Sequence, residues 1–430
     1  MLFKDISVLD EYFKVKEHQY VGIRGDRIVY LGAEVPAADF GEVISGKGKL
    51  LMPAFYNAHA HTPMTLLRGY GGGLNLNDWL TTKIFPFEAH LTGKDVYYGM
   101  LLGIAEMLKF GIVSTTDMYM QGERILEAVL ETGVKTNLGV GLVCFDRTKK
   151  LKELRDYINS KYLYENYHGH GNGRVKVDMS IHGEYTSFPE IVREFCDFSR
   201  SLGTNMHVHI SETEKEQMEC RQRHGKTPVQ YFNDLGMFDS PTTAAHCVWL
   251  EGEDFDILAE KGVTVASCPT SNLKLASGIC DVKRLLEKGV KVAVATDGVS
   301  SNNNLNMIEE MKIFALLQKV KHMDPTLISP EQALFGITRA GALSQGRGDC
   351  GLVKVGNKAD LVVLDMDGPH MKPVHSLLEN LVYSANGADV EMTVCDGRIL
   401  YRNGEYLTID MEKTAFEAER SKNRILAALV

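Results

Sequence analysis

Eight apolar runs between residues 50 and 298 constrain this chain more than any other feature in it. They read "LLMPAFYNA", "GIVSTTDMY", "TNLGVGLVC", "VKVDMSIHG", "NMHVHIS", "TTAAHCVWL", "VTVASCP" and "VKVAVATDG". Each is rich in β-branched residues, and helix-patterned segments separate them. Strands that are apolar along their whole length, rather than alternately, belong to a parallel sheet buried on both faces. Eight strand–helix units are the number that closes a (β/α)8 barrel of TIM type. The rival is an open doubly wound α/β sheet. It lacks its signature, because no G-x-G-x-x-G follows an early strand.

The segments between the runs carry helix punctuation. Thr92 and Asp95 are spaced as a capping pair before "YYGMLLGIAEMLKF", in which Met100, Ile104 and Leu108 share one face. Pro189 and Pro228 stand where a first helical turn tolerates proline. Glycines such as Gly133 and Gly203 precede the next run, as left-handed C-terminal residues do.

Both chain ends read differently. "QYVGIRGDRIVYLGAE" gives short strands about a "GD" turn, and "GLVKVGNKADLVVLD" and "DVEMTVCDGRILYRNGEYL" give more, with "VGN", "DG" and "NG" as hairpin turns. Residues 1–52 and 347–430 are therefore expected to pair into one small flanking β-sandwich domain beside a barrel of 53–346. A C-terminal helix, "MEKTAFEAERSKNRILAAL", ends the chain.

The charge balance narrows the partners. With 47 basic against 56 acidic residues, the net charge of −9 repels phosphate backbones, so no nucleic acid is expected. No basic run suggests a membrane surface, and no 18 apolar residues run together. The eight cysteines form no C-x-x-C pair and several lie in apolar runs, which reads as buried reduced thiols in a cytoplasmic protein. A small-molecule substrate fits this balance, and the sequence leaves a homo-oligomer open.

A barrel builds its site at the C-terminal ends of its strands. Run one ends in His59 and His61, run two in Asp117, run four in His182, run five in His207 and His209, run six in His246 and run eight in Asp297. The chain has fourteen histidines, and this concentration on one rim is not a chance scatter. Residues i and i+2 of a strand point the same way, so His59 and His61 offer two nitrogens to one point. A second H-x-H, His168 and His170, sits in a glycine-rich loop with no strand before it and reads as solvated. His90, His224, His322, His370 and His375 read as surface or cap residues. Of the pair on run five, the rim favours His209. Three residues on is Glu212, placed for proton transfer. A buried Asp297 needs a cation or donors to offset its desolvation.

"NAHAHTPMTLLRGYG", "HISETEKE", "AAHCVWL", "CPTSNLKLASG" and "ATDGVSSNNNLNMIEEM" together resemble the amidohydrolase superfamily. The resemblance is greatest to its adenosine-type branch, the methylthioadenosine/S-adenosylhomocysteine deaminases and related chlorohydrolases. It implies that His59, His61, His209 and Asp297 bind one divalent metal, zinc first, with Fe2+ or Mn2+ as alternatives. It also implies that Glu212, His246 and Asp297 are catalytic and that His182 and Glu212 contact substrate. Glu88 in "FPFEAHLTG" matches the position that holds a ribose, and "NLNDWLTTKIF", with Trp79 and Phe85, is expected to close over the substrate. Strand four ends "VDMSIHGE" without a lysine, which implies one metal rather than two. No role is assigned to His207.

The implied reaction is hydrolytic deamination of adenosine, 5′-deoxyadenosine, 5′-methylthioadenosine or S-adenosylhomocysteine. Asp297 takes a proton from water, Glu212 protonates the ring nitrogen, and His246 holds the developing oxygen. In one position the chain departs from the homocysteine-binding members, which resemble each other in an arginine just before "GLV". Val140 stands there, with Arg147 nearby. A carboxylate-bearing tail thereby loses a bidentate partner. The deaminases that use H-x-E with P-C-x-x-C are excluded, because "HGE" at 182–184 has no such partner and Ser271 follows Cys268-Pro269. The alternatives on the same site are deamination of guanine, 8-oxoguanine or cytosine, and triazine dechlorination. A non-catalytic binding protein of this fold is the remote one.

Overall fold

The computed structural model describes residues 1–74 and 76–429. Phe55–Ala60 (β1), Ile112–Met118 (β2), Lys135–Gly139 with Gly141–Leu142 (β3), Val175–Val177 with Met179–Ile181 (β4), Met206–Ile210 (β5), Thr242–His246 (β6), Thr264–Ser267 (β7) and Lys291–Val294 (β8) are the eight expected runs. Each pairs in parallel with the next, from β1 through β8. The ring closes between β8 and β1: Asp297 N donates to His59 O at 3.1 Å and Thr296 N to Asn57 Oδ1 at 3.1 Å. The result is a TIM-type α/β barrel. Every residue of β1, β2 and β5 is buried, as strands covered on both faces require.

The helices carry the predicted punctuation. Thr92 and Asp95 form a reciprocal capping box on Gly93–Lys109, and Met100, Ile104 and Leu108 are fully buried along it. Pro189 and Pro228 start Pro189–Leu202 and Pro228–Asp234. Gly133 (φ 87°) and Gly203 (φ 67°) end their helices in the left-handed region.

The chain ends share one nine-stranded sheet. Two of its hairpins turn at Asp396-Gly397 and Asn403-Gly404, where all four residues have positive φ. The first apolar run splits between two sheets. Lys49–Pro53 pairs with Leu2–Leu9 and Leu361–Asp365 in this sheet, while β1 enters the barrel. Of "GLVKVGNKADLVVLD" only Leu361–Asp365 is a strand; residues 351–354 are bends and irregular backbone, and Val355–Gly356 form the turn expected at "VGN". Leu377–Tyr383 is a helix that the sequence reading missed. The last helix, Met411–Ala428, lies on Gly93–Lys109, with Arg424 paired to Asp95 at 2.5 Å. Beneath the barrel, buried Lys135 of β3 pairs with Asp360 and with Asp396 (2.8 Å), and Tyr56 OH donates to Asp360, so barrel and sheet share one ionic knot. Among the described residues no helix is long and apolar enough to cross a membrane.

Candidate active site

Three strands end in left-handed backbone at residues that are not glycine: Ser211 (φ 50°) after β5, His246 (φ 72°) closing β6 and Asp297 (φ 59°) after β8. Such conformations are strained and gather at functional sites. Here they stand beside the residues that the sequence reading singled out.

His59 Nε2 and His61 Nε2 each lie 3.3 Å from Asp297 Oδ1, and His209 Nε2 lies 3.4 Å from His61 Nε2. His61 Nδ1 donates to Met118 O at 2.6 Å, and His209 Nδ1 donates to His182 O at 2.6 Å. Each carbonyl fixes its neutral ring with the proton on Nδ1 and leaves Nε2 as a bare lone pair. His59 Nε2 is buried and has no hydrogen-bond partner. Lone pairs and a carboxylate thus converge with nothing positive between them. That donor set is the one a borderline divalent cation requires.

The electrostatics agree. Burial draws His59 down to about 4 and His209 well below the usual imidazole range, so both rings are neutral as ligands must be. Burial alone would raise Asp297, but the imidazoles of His59, His61 and His246 around it hold it well below the carboxylate range. Its Oδ2 accepts from Ser271 Oγ at 2.6 Å and Ser301 Oγ at 3.0 Å.

A cavity of about 310 Å³ opens onto this nest, with His61, His209 and Asp297 in its wall. Glu212 and His246 line it too, 3.8 Å apart between Oε2 and Nε2. Burial raises the Glu212 carboxyl, against the pull of His246. His246 is raised although burial opposes it, because the Glu212 and Asp297 carboxylates outweigh desolvation. His246 Nδ1 donates to Asn272 Oδ1 at 2.9 Å, which turns Nε2 towards Glu212. His182, Glu88, Trp79, Phe85 and Val140 also line the cavity. Asn75 of the expected closing segment lies outside the described residues, and Leu76–Trp79 follows it as a short helix.

Some candidates stand apart. Asp117 is fully buried, accepts from Thr62 N at 3.1 Å and is not in the cavity wall; burial lifts it to about 6. Arg147 is exposed, with its guanidinium 4.3 Å from the centre of the Phe188 ring, and does not line the cavity. His168 and His170 are exposed. The sequence reading missed Tyr119, whose OH donates to Glu88 Oε1 at 2.7 Å, and the supports Ser271, Asn272 and Ser301. Tyr119 directly follows β2 on the rim, a position that could have found it.

Comparison with known proteins gives the same direction. A profile described as "Amidohydrolase family" matches residues 50–400. The chain is 39% identical over 429 residues to a 5-methylthioadenosine/S-adenosylhomocysteine deaminase of Caldanaerobacter subterraneus subsp. tengcongensis, covering 99% of this chain and 98% of that one. It is 41% identical over 396 residues to a 5′-deoxyadenosine deaminase of Methanothermobacter thermautotrophicus, covering 92% of each. The solved structure of a zinc-bound adenosine deaminase from Xanthomonas campestris superposes with a TM-score of 0.92 at 29% identity, over 99% of this chain and 98% of that one.

Proposed function

The chain belongs to the amidohydrolase family, and from that membership and the chemistry of its cavity we propose that it hydrolytically deaminates an adenosine-type purine nucleoside, releasing ammonia. The observation that carries this reading is the pairing of Glu212 with His246 on the wall of the cavity that also holds the histidine–aspartate nest.

His59, His61, His209 and Asp297 would hold one divalent cation, with zinc the reading their nitrogen-rich set supports best. A cation there supplies Lewis acidity, which brings the pKa of water down towards roughly 7. Asp297 keeps Oδ2 on two serines and presents Oδ1 to the nest, where it takes the proton of the attacking water. Glu212, raised by burial, carries a proton to the ring nitrogen beside the amine-bearing carbon, which reduces the ring's resistance to attack. His246 directs Nε2 at the oxygen that gains charge as the C–O bond forms. Asp297 passes the proton it took to the amine, the C–N bond breaks and ammonia leaves, and the hydroxyl proton returns to Glu212 as an oxo group remains on the ring.

Glu88, oriented by Tyr119, is the group that would hold the ribose, and His182 and Trp79 would flank the substrate. Among the described residues lining the cavity none is Lys or Arg, and Val140 stands in the wall. This supports adenosine, 5′-deoxyadenosine and 5′-methylthioadenosine over S-adenosylhomocysteine, whose tail carries a carboxylate. Residues 1–52 and 347–430 are read as a flanking domain to a barrel of 53–346. The eight buried, unbridged cysteines support a reducing compartment, the cytoplasm.

Ammonia release across those four adenosine compounds and guanine tests the reading. Turnover of the three neutral-tailed compounds is expected, and silence on every adenosine compound overturns it.

A further inference from the structure

His61 and His209 are locked by main-chain carbonyls, but His59 has none at its Nδ1. Its partner is instead another imidazole. His207 lies on β5 two residues before His209, facing the same way but deeper in the barrel, and is fully buried. His207 Nε2 is 2.9 Å from His59 Nδ1, with the ring centroids 4.9 Å apart. Neutral imidazole has one donor and one acceptor, so a single proton lies between these two nitrogens. If His207 Nε2 carried it, the neutral His59 would have its own proton on Nε2 and could not ligate. If His59 Nδ1 carries it, Nε2 is bare and His207 must bear its proton on Nδ1. One observation favours the second arrangement: His59 Nε2 has no hydrogen-bond partner although a carboxylate oxygen lies 3.3 Å away. In that arrangement His207 Nδ1 is a buried N–H left unsatisfied, which the fold tolerates while Nε2 accepts from His59.

We propose that His207 is a positioning residue for the cation nest: its Nε2 accepts from His59 Nδ1 and so fixes His59 in the tautomer that ligates, the task that carbonyls perform for His61 and His209. The proposal rests on the nest holding a divalent cation. Partners of this kind orient a ligand ring and raise its basicity.

Zinc affinity, measured by chelator competition on the full chain, is the readout, with circular dichroism as a check on folding. His207→Phe fills the space but removes the acceptor, and is expected to weaken zinc about 10- to 100-fold. His207→Gln presents Oε1 as an acceptor near the old Nε2 position, and is expected to restore wild-type affinity. Nitrogen NMR of histidine-labelled, zinc-loaded wild-type protein reads the tautomer without any substitution, and should find His207 protonated on Nδ1. A proton on His207 Nε2, or unchanged zinc affinity in His207→Phe, overturns the proposal alone. Wild-type protein that binds no zinc overturns the reading of the nest as well.

Discussion

Asp297 has two oxygens with different duties. Oδ1 faces His59 and His61 and also accepts from Gly298 N at 2.8 Å, while Oδ2 is tied to Ser271 and Ser301. The serines spend the lone pairs that would otherwise compete for direction, so one oxygen stays aimed at the nest. Glu212 is the complementary case: burial keeps its carboxyl able to hold a proton at a pH where an exposed glutamate has lost it. Glu212→Gln should lower kcat by about 10²- to 10⁴-fold with zinc content unchanged, since it removes a proton donor and no ligand. Full activity in that variant, by ammonia assay, contradicts the role. The residues of the nest were legible because each ends an apolar run. Ser271, Asn272, Ser301 and Tyr119 were not, because a hydroxyl or amide in a loop has no spacing rule to mark it; only the folded chain brings it to its partner.

At the scale of elements, the same runs fixed the strands because apolar length needs burial on both faces. The exception is instructive. "LLMPAFYNA" crosses from one sheet to another at Ala54, whose N donates to Asp360 O at 3.0 Å, and periodicity carries no mark of which sheet a residue joins. Residues 351–354 looked extended but form bends and irregular backbone, while Val355 and Gly356 of "VGN" turn as read. Helix starts were legible through capping chemistry. Thr92→Ala should destabilise the protein by about 1 kcal/mol through loss of the Asp95 N–H acceptor, read as a lower urea midpoint at constant m. A close approach cannot be read from sequence at all. Helix Arg339–Ser344 crosses β1 at Gly341, where a Cβ would meet Tyr56 O at 2.0 Å. Gly341→Ala therefore forces helix and strand apart, at a cost of about 1–3 kcal/mol. A thermal midpoint equal to wild type contradicts that packing.

Across the whole molecule, the Lys135–Asp360–Asp396 knot joins the barrel to the sheet made by both chain ends. Burial raises Asp360, but Lys135 outweighs it and holds the carboxyl below the usual range. A depressed carboxyl contributes stability above its unfolded value of about 3.9, and that stability is lost as pH falls through the folded value. Acid unfolding below about pH 4 should therefore be less steep in Asp360→Asn, and that variant should lose about 1–3 kcal/mol at neutral pH because buried Lys135 keeps only Asp396 as its carboxylate partner. Urea unfolding at pH 7 and pH 3.5 checks both. One cation, held by His59, His61, His209 and Asp297, is proposed to make the cavity a deaminase. Stripping the protein with a chelator, titrating zinc back and following ammonia release from 5′-deoxyadenosine tests this. Stripped protein should release no ammonia, and one zinc per chain should restore full activity. Activity that survives stripping, or that needs two zinc ions per chain, contradicts the single-cation site.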